Sequence, residues 1–196
     1  TLTERKRRAI LSAAKHVLLQ QGFSGASMDA VTLEAGVSKK TVYHHFENKR
    51  ALFEAVVVAH WAQATSRREM TFMDESTVPA ALKAFSRQFL GFIYENDSRA
   101  LFRLLIAEST RFPGFARSLL DEGKAPFTAA LVGYLSSQSG LCIEDPELAA
   151  LQFIGMIKEY HYWPMMLGFE NKPHERDLHY AVDQAIAMFM GYYKRT

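Results

Sequence analysis

The chain has 196 residues, 48% of them hydrophobic and 22% charged, the balance of an ordinary globular protein long enough to bury a real core. It holds no run of about 18 or more apolar residues and no basic-then-apolar leader, so the expectation is a cytoplasmic chain with no membrane partner. Net charge is only +2, yet residues 1–50 carry +5 and residues 51–196 carry −3, the pattern of a basic head made to meet a polyanion or, equally on charge alone, of a solvated basic helix face.

Almost every segment has helical period. Ile10, Ala13, Ala14, Val17 and Leu18 share one face of a first helix that Gly22 ends. Ser27 is a good N-cap for a short second helix carrying Met28 and Val31, which Gly36 breaks. Ser38 caps a third with Thr41, Val42 and Tyr43, and Asn48 caps a long fourth with Leu52, Phe53, Val56, Val57 and Trp61 on its apolar side.

Val78, Ala81, Leu82, Phe85, Phe89 and Phe92 mark a fifth helix. Ser98 is read as the cap of a sixth that reaches Arg111, and a seventh starts at Pro113 and stops at Gly140. An eighth runs from Pro146 to Trp163-Pro164, where proline ends or kinks it. A ninth runs from about His174 to Tyr193. No segment reads as a strand, so the predicted class is all-α, with about nine helices. The expected division is an N-terminal three-helix domain over residues 1–47 and a second helical domain over residues 48–196.

Two short helices joined through Gly36-Val37 match a helix-turn-helix, whose second helix enters the DNA major groove. Met28, Val31, Val37 and Val42 can share a core with the first helix, which leaves Lys39, Lys40, Tyr43 and His44 outward, while Phe46 reads as core. Lys49 sits in the first turn of the fourth helix, where free N–H groups favour a phosphate. Lysines, a tyrosine hydroxyl and a histidine supply donors for phosphates, and the first residues of a recognition helix reach base edges. Each has a plainer reading: Tyr43 alone could pack on the first helix, and Asp29 reads as a surface residue matched to the helix dipole.

The span MDAVTLEAGVSKKTVYHHFENKRALFEAV resembles the DNA-binding region of TetR-family transcriptional regulators. The AGVS turn, the TVYHHF recognition helix and the NKRALF opening of the next helix carry the match. The resemblance implies that Lys39, Lys40 and Thr41 lie nearest the bases. It implies that Tyr43, His44 and Lys49 hold phosphates, with Ser27 adding one at the start of the second helix. The chain departs from the family at Thr32, where a small residue is usual, and at Lys40, often glycine, alanine or proline.

The lone Cys142 can make neither an intramolecular disulfide nor a zinc site, and adjacent His44 and His45 do not face each other on a helix. No cofactor or metal is expected. No nucleophile elbow, phosphate loop or metal spacing accompanies His60, Glu108, His161 or Cys142, which argues against an enzyme.

The body holds 12 Phe, 7 Tyr and 2 Trp, enough to fill a core or to line an apolar cavity for a mostly apolar or aromatic effector. The block LFRLLIAESTRFPGFA, residues 101–116, is similar to the C-terminal domain of the AefR-like subgroup, and the family resemblance favours the effector. Helical faces nominate His60, Trp61, Phe89, Leu105, Phe127, Met156 and Tyr160 as its lining. Glu108 joins them if it points inward; its alternative is an ion pair with Arg111.

The last two helices nominate Leu148, Leu151, Ile154, Gly155, Ala181, Ala185, Ile186, Phe189 and Met190 as a dimer surface. The alternative is that these faces close on the monomer's own core. One helix-turn-helix reads too few base pairs to specify a site, so a homodimer on pseudo-palindromic double-stranded DNA is expected. By the resemblance the protein is a repressor released by its effector. The rival is a DNA-binding dimer with no small effector, its body used for dimerisation or a protein partner.

Overall fold

The computed structural model describes residues 2–67, 75–118, 121, 125–169 and 174–195. Ten helices follow one another among them: α1 (Leu2–Gly25), α2 (Met28–Ala35), α3 (Lys39–His45), α4 (Lys49–Arg67), α5 (Val78–Ile93), α6 (Asn96–Glu108), α7 (Pro113–Ser118), α8 (Ala125–Ser136), α9 (Pro146–Met166) and α10 (Glu175–Tyr193). The pairing outside helices among the described residues is one isolated antiparallel bridge between Leu141 and Lys194. The fold is all-α. No helix among the described residues is long and apolar enough to cross a membrane.

Short polar side chains and glycines set the helix ends. Ser27 Oγ accepts from Ala30 N at 3.0 Å, Ser38 Oγ from Thr41 N at 3.2 Å and Asn48 Oδ1 from Ala51 N at 2.9 Å; each satisfies a backbone donor that the helix cannot and is worth about 1 kcal/mol. Gly36 closes α2 from the left-handed region at φ 62°, its N–H meeting Leu33 and Thr32 carbonyls. Gly22, at φ 68° and ψ 174°, interrupts α1 one turn before its end. Thr32 keeps its hydroxyl inside α2, donating to Met28 O at 2.7 Å.

Three boundaries differ from the sequence pattern. Helix α6 runs from Asn96 to Glu108, short of Arg111, so Ser98 is not its cap but a fully buried residue within its first turn. One helix was expected from Pro113 to Gly140; α7 and α8 are described as separate segments, and residues 119–120 and 122–124 between them lie outside the described residues. Pro164 lies within the last turn of α9, which runs on to Met166 before Leu167 N meets Trp163 O at 2.9 Å. A proline this close to the end removes a bond near the terminus, where the ladder is about to stop anyway.

The chain divides into two compact units, Thr1–Gln63 with Asn96–Gly123 and Ala64–Glu95 with Lys124–Thr196. In the first, α1 packs on α2 and α6, α2 on α3, and α6 on α7. Its core comprises Ile10, Ala14, Val17 and Leu18 of α1, Val31 of α2, Val42 of α3, Leu52, Phe53 and Val57 of α4, and Leu101 and Leu105 of α6, all buried. In the second, α9 packs on α5, α8 and α10. Phenylalanines dominate it: Phe153 lies 6.3 Å from Phe85 and 5.4 Å from Phe189 between ring centroids. Aromatic pairs at these separations add to the stabilisation from area burial alone.

Candidate nucleic-acid interface

Helix α3 presents a polar face because its apolar side is consumed. Met28, Val31, Val42 and Phe46 are buried, which fixes the rotation of α3 about its axis. Lys39, Lys40, Tyr43 and His44 then fall on the open side, all exposed. Thr41 is half-buried, its Oγ1 2.8 Å from Ser38 Oγ, and Ser27 is exposed at the start of α2. The guanidinium of Arg7 on α1 lies 5.6 Å from the ring centroid of Phe46, just past the end of α3.

Two residues sit in partnerships that the sequence pattern does not reveal. Lys49 Nζ donates to the carbonyls of Phe23 at 2.7 Å, Ala26 at 2.9 Å and Ser24 at 3.4 Å, and it lies 4.7 Å from the Phe23 ring centroid. The ammonium therefore ties the first turn of α4 to the segment from Phe23 to Ala26, the end of α1 beyond Gly22 and the start of the turn into α2. Asp29, read from the sequence as a surface residue matched to the helix dipole, also forms an ion pair with Lys39 at 2.7 Å. That hydrogen bond, together with the field of the carboxylate, raises the lysine's pKa above its ordinary value.

The His44 and His45 rings are 5.5 Å apart, and among the described residues no three histidine, cysteine or acidic side chains gather at metal spacing. Asp29 and Lys39 are ten residues apart on different helices, so no helical periodicity pairs them. Only the turn geometry does.

The effector candidates divide between the units. His60, Trp61, Leu105 and Glu108 belong to the first; Phe89, Phe127, Met156 and Tyr160 belong to the second. His60 Nε2 lies 2.9 Å from Ser98 Oγ. Burial, then the nearby Lys15 charge, lowers its pKa to about 4 against a weaker opposing pull from Asp97. Trp61 is buried against Phe102, centroids 4.7 Å apart, and Leu105 is buried too. Glu108 is half-buried, and its backbone carbonyl accepts from Arg111 N at 3.1 Å.

In the second unit Phe89 meets Phe127 edge-on at 5.6 Å, Phe85 stacks on Phe89 at 5.8 Å, and Phe92 stacks on Phe127 at 5.6 Å. Met156 is half-buried, and Tyr160 is 75% exposed, which removes it from any interior wall of its own unit.

The expected dimer face separates into two faces. Ile154, Ala185, Ile186 and Phe189 are buried inside their own unit, with Phe189 against Phe153 and, at 4.7 Å, Tyr193. A second stripe faces outward: Leu148, Leu151, Met188 and Tyr192 are exposed apolar residues on α9 and α10. Gly155, Ala181 and Met190 are intermediate. Each helix is apolar around much of its circumference, so periodicity alone could not assign its stripes.

The model for bacterial regulatory proteins of the tetR family matches residues 10–56, and that for the C-terminal domain of AefR-like transcriptional repressors matches residues 80–195. The transcriptional regulator UidR of Escherichia coli is 32% identical over 124 residues, 59% of this chain; the chain thus spans 58% of that relative's length. A crystal structure from Mesorhizobium loti, described as a TetR-family transcriptional regulator, superposes over all of both chains with a TM-score of 0.91 at 26% identity. The flavonoid-responsive regulator FrrA superposes over 97% of this chain and 98% of its own, with a TM-score of 0.84 at 29% identity. These relatives are transcriptional regulators, not enzymes.

Proposed function

Because the chain belongs to the TetR family of DNA-binding transcriptional regulators, we propose that it is a homodimeric repressor that leaves a pseudo-palindromic operator when a small, mostly apolar or aromatic effector binds. The observation that carries the reading is the open face of α3, where Lys39, Lys40, Tyr43 and His44 stand clear of a buried Val42. Residues 1–47 are the reading head in this proposal, and residues 48–196 receive the effector and the second copy. Lys39, Lys40 and Thr41 meet base edges; Ser27, Tyr43 and His44 meet phosphates. Lys49 serves the phosphate contacts by holding the turn before α2.

The second copy is assigned to the exposed stripe of Leu148, Leu151, Met188 and Tyr192, with Gly155 and Ala181 allowing close approach. A two-fold pair reads two half-sites, as operator specificity requires. The effector is assigned to the phenylalanine cluster around Phe89 and Phe127, whose mutually packed rings must part to admit a flat apolar molecule. FrrA is named for its response to flavonoids, so a flavonoid panel is a rational first set of probes. The effector shifts operator binding only by the difference in its affinity for the two states.

Burial of Phe89 and Phe127 supports a second reading, a DNA-binding dimer whose body is packed for dimerisation or a protein partner alone. Selection of bound sites from a random DNA pool, with native mass on the same sample, tests the first part: a palindrome held by a dimer is expected. A flavonoid panel then separates the readings. Release from the operator supports the effector, and a panel that neither binds nor releases supports the packed body.

A further inference from the structure

Asp29 stands in the first turn of α2 and Lys39 at the first position of α3. Their side chains reach across the turn, and Lys39 Nζ donates to Asp29 Oδ1 at 2.7 Å. The same ammonium lies 6.0 Å from the ring centroid of Tyr43, one helical turn further along. Both partners remain open to solvent, with 60% of the Lys39 side chain and 71% of the Asp29 side chain exposed. Nothing about the fold needs a pair this exposed, since surface ion pairs contribute little to stability. It stands at the place where this protein is read to meet DNA.

An ammonium has three donors. Asp29 takes one and leaves two, and its negative charge stays beside them. A phosphate oxygen approaching those donors meets the carboxylate at close range and is repelled by it. A base edge carries no net charge and meets much weaker repulsion, so the pair favours neutral acceptors over charged ones. Guanine offers two such acceptors side by side in the major groove, O6 and N7.

We propose that Asp29 is a specificity-determining residue of the DNA-reading head: it holds the Lys39 ammonium off the phosphates and presents its remaining donors to a base edge with two acceptors, guanine foremost. The inference rests on the reading of α3 as the recognition helix. Lys39 touches the base, and Asp29 acts through it. The two-acceptor edge places a guanine in each half-site at the position Lys39 faces.

The test is a double-mutant cycle on the full-length chain. Affinity is measured against salt for the wild type, Asp29→Asn, Lys39→Ala and the double variant, on the selected operator and on a random-sequence duplex of equal length. Asp29→Asn is expected to tighten binding to random DNA and steepen its salt slope by about one, the signature of one new phosphate contact. The ratio of operator to random affinity is expected to fall about five- to tenfold, the low end of what one base contact discriminates.

In the Lys39→Ala background, Asp29→Asn is expected to leave the ratio unchanged. If Asp29→Asn instead shifts both DNAs equally in both backgrounds, Asp29 is only a repulsive surface charge and the inference is wrong. It is equally wrong if the ratio does not move. A wild type that enriches no sequence at all sinks the recognition-helix reading itself, a result distinct from either of these. Thermal melting of all four proteins checks that they are folded, which the exposure of both side chains leads one to expect.

Discussion

Phe112 meets Phe23 edge-on, with ring centroids 5.0 Å apart and planes at 66°. Phe23 belongs to the turn beyond Gly22, and Phe112 to the segment joining α6 and α7. Phe23 also touches Phe53 of α4 at 5.4 Å, and the guanidinium groups of Arg50 and Arg111 lie 5.8 and 5.2 Å from the Phe112 ring centroid. Phe112 of the 101–116 block thus lies against Phe23, whose carbonyl is one of those that hold Lys49. Phe112→Ala is expected to destabilise the protein by about 1–3 kcal/mol, less than a fully buried phenylalanine because Phe112 is half-buried. It is also expected to weaken operator binding at temperatures where the variant is fully folded. Denaturant melts paired with binding isotherms check both, and unchanged affinity would reduce the contact to packing.

Lys49 separates direct from indirect use of a charge. Its ammonium is spent on three carbonyls, and hydrogen bonds to a charged group contribute about 1.5–3 kcal/mol each at most. Lys49→Ala is therefore expected to lower the denaturation midpoint, and to weaken binding to every DNA sequence alike while leaving the salt slope in place. A slope shallower by about one would instead mean that Lys49 exchanges its carbonyls for a phosphate on the DNA.

His60 gives the fold an acid limit. Its pKa drops from an ordinary 6.5 to about 4 in the folded chain, chiefly because burial penalises the imidazolium. The unfolded chain therefore binds a proton that the folded chain refuses between those values. The neutral ring's contribution is whole above pH 6.5, shrinks as pH falls and is gone below about 4. His60→Gln is expected to flatten this part of the stability profile, read as denaturation midpoints from pH 7.5 to 4. A profile as steep as the wild type's would assign the acid sensitivity to other groups.

Leu151 is 37% exposed on α9 beside exposed Leu148, so a charge there need not disturb the monomer's own core. Leu151→Glu is expected to halve the native mass and lower operator affinity steeply, because one head then reads one half-site. Phe189→Ala makes the contrast: Phe189 is buried against Phe153, and its loss is expected to cost about 3–5 kcal/mol of folding stability. If Leu151→Glu stays dimeric, the interface lies elsewhere.

Glycines and short polar caps made the helix order legible. Gly22, Ser27, Gly36, Ser38 and Asn48 act on their immediate neighbours, so a linear reading of the chain finds them where the backbone uses them. The open face of α3 was legible for the same reason: Val42 and Phe46 must be buried, and a seven-residue helix has only one other side. Ser98 misled because a serine near a helix start is usually a cap, whereas here its partner is His60, 38 residues away.

By itself, then, the sequence determined the all-α class, the order of the first four helices and the polar, exposed face of α3, because each depends on spacings of a few residues. Only the tertiary structure decided that Lys49 is spent on the α1–α2 turn and that Asp29 holds Lys39. It alone decided which stripe of α9 and α10 is core and which is surface. Those outcomes depend on which groups meet across the fold, and side chains brought together from distant positions leave no period in the chain to read.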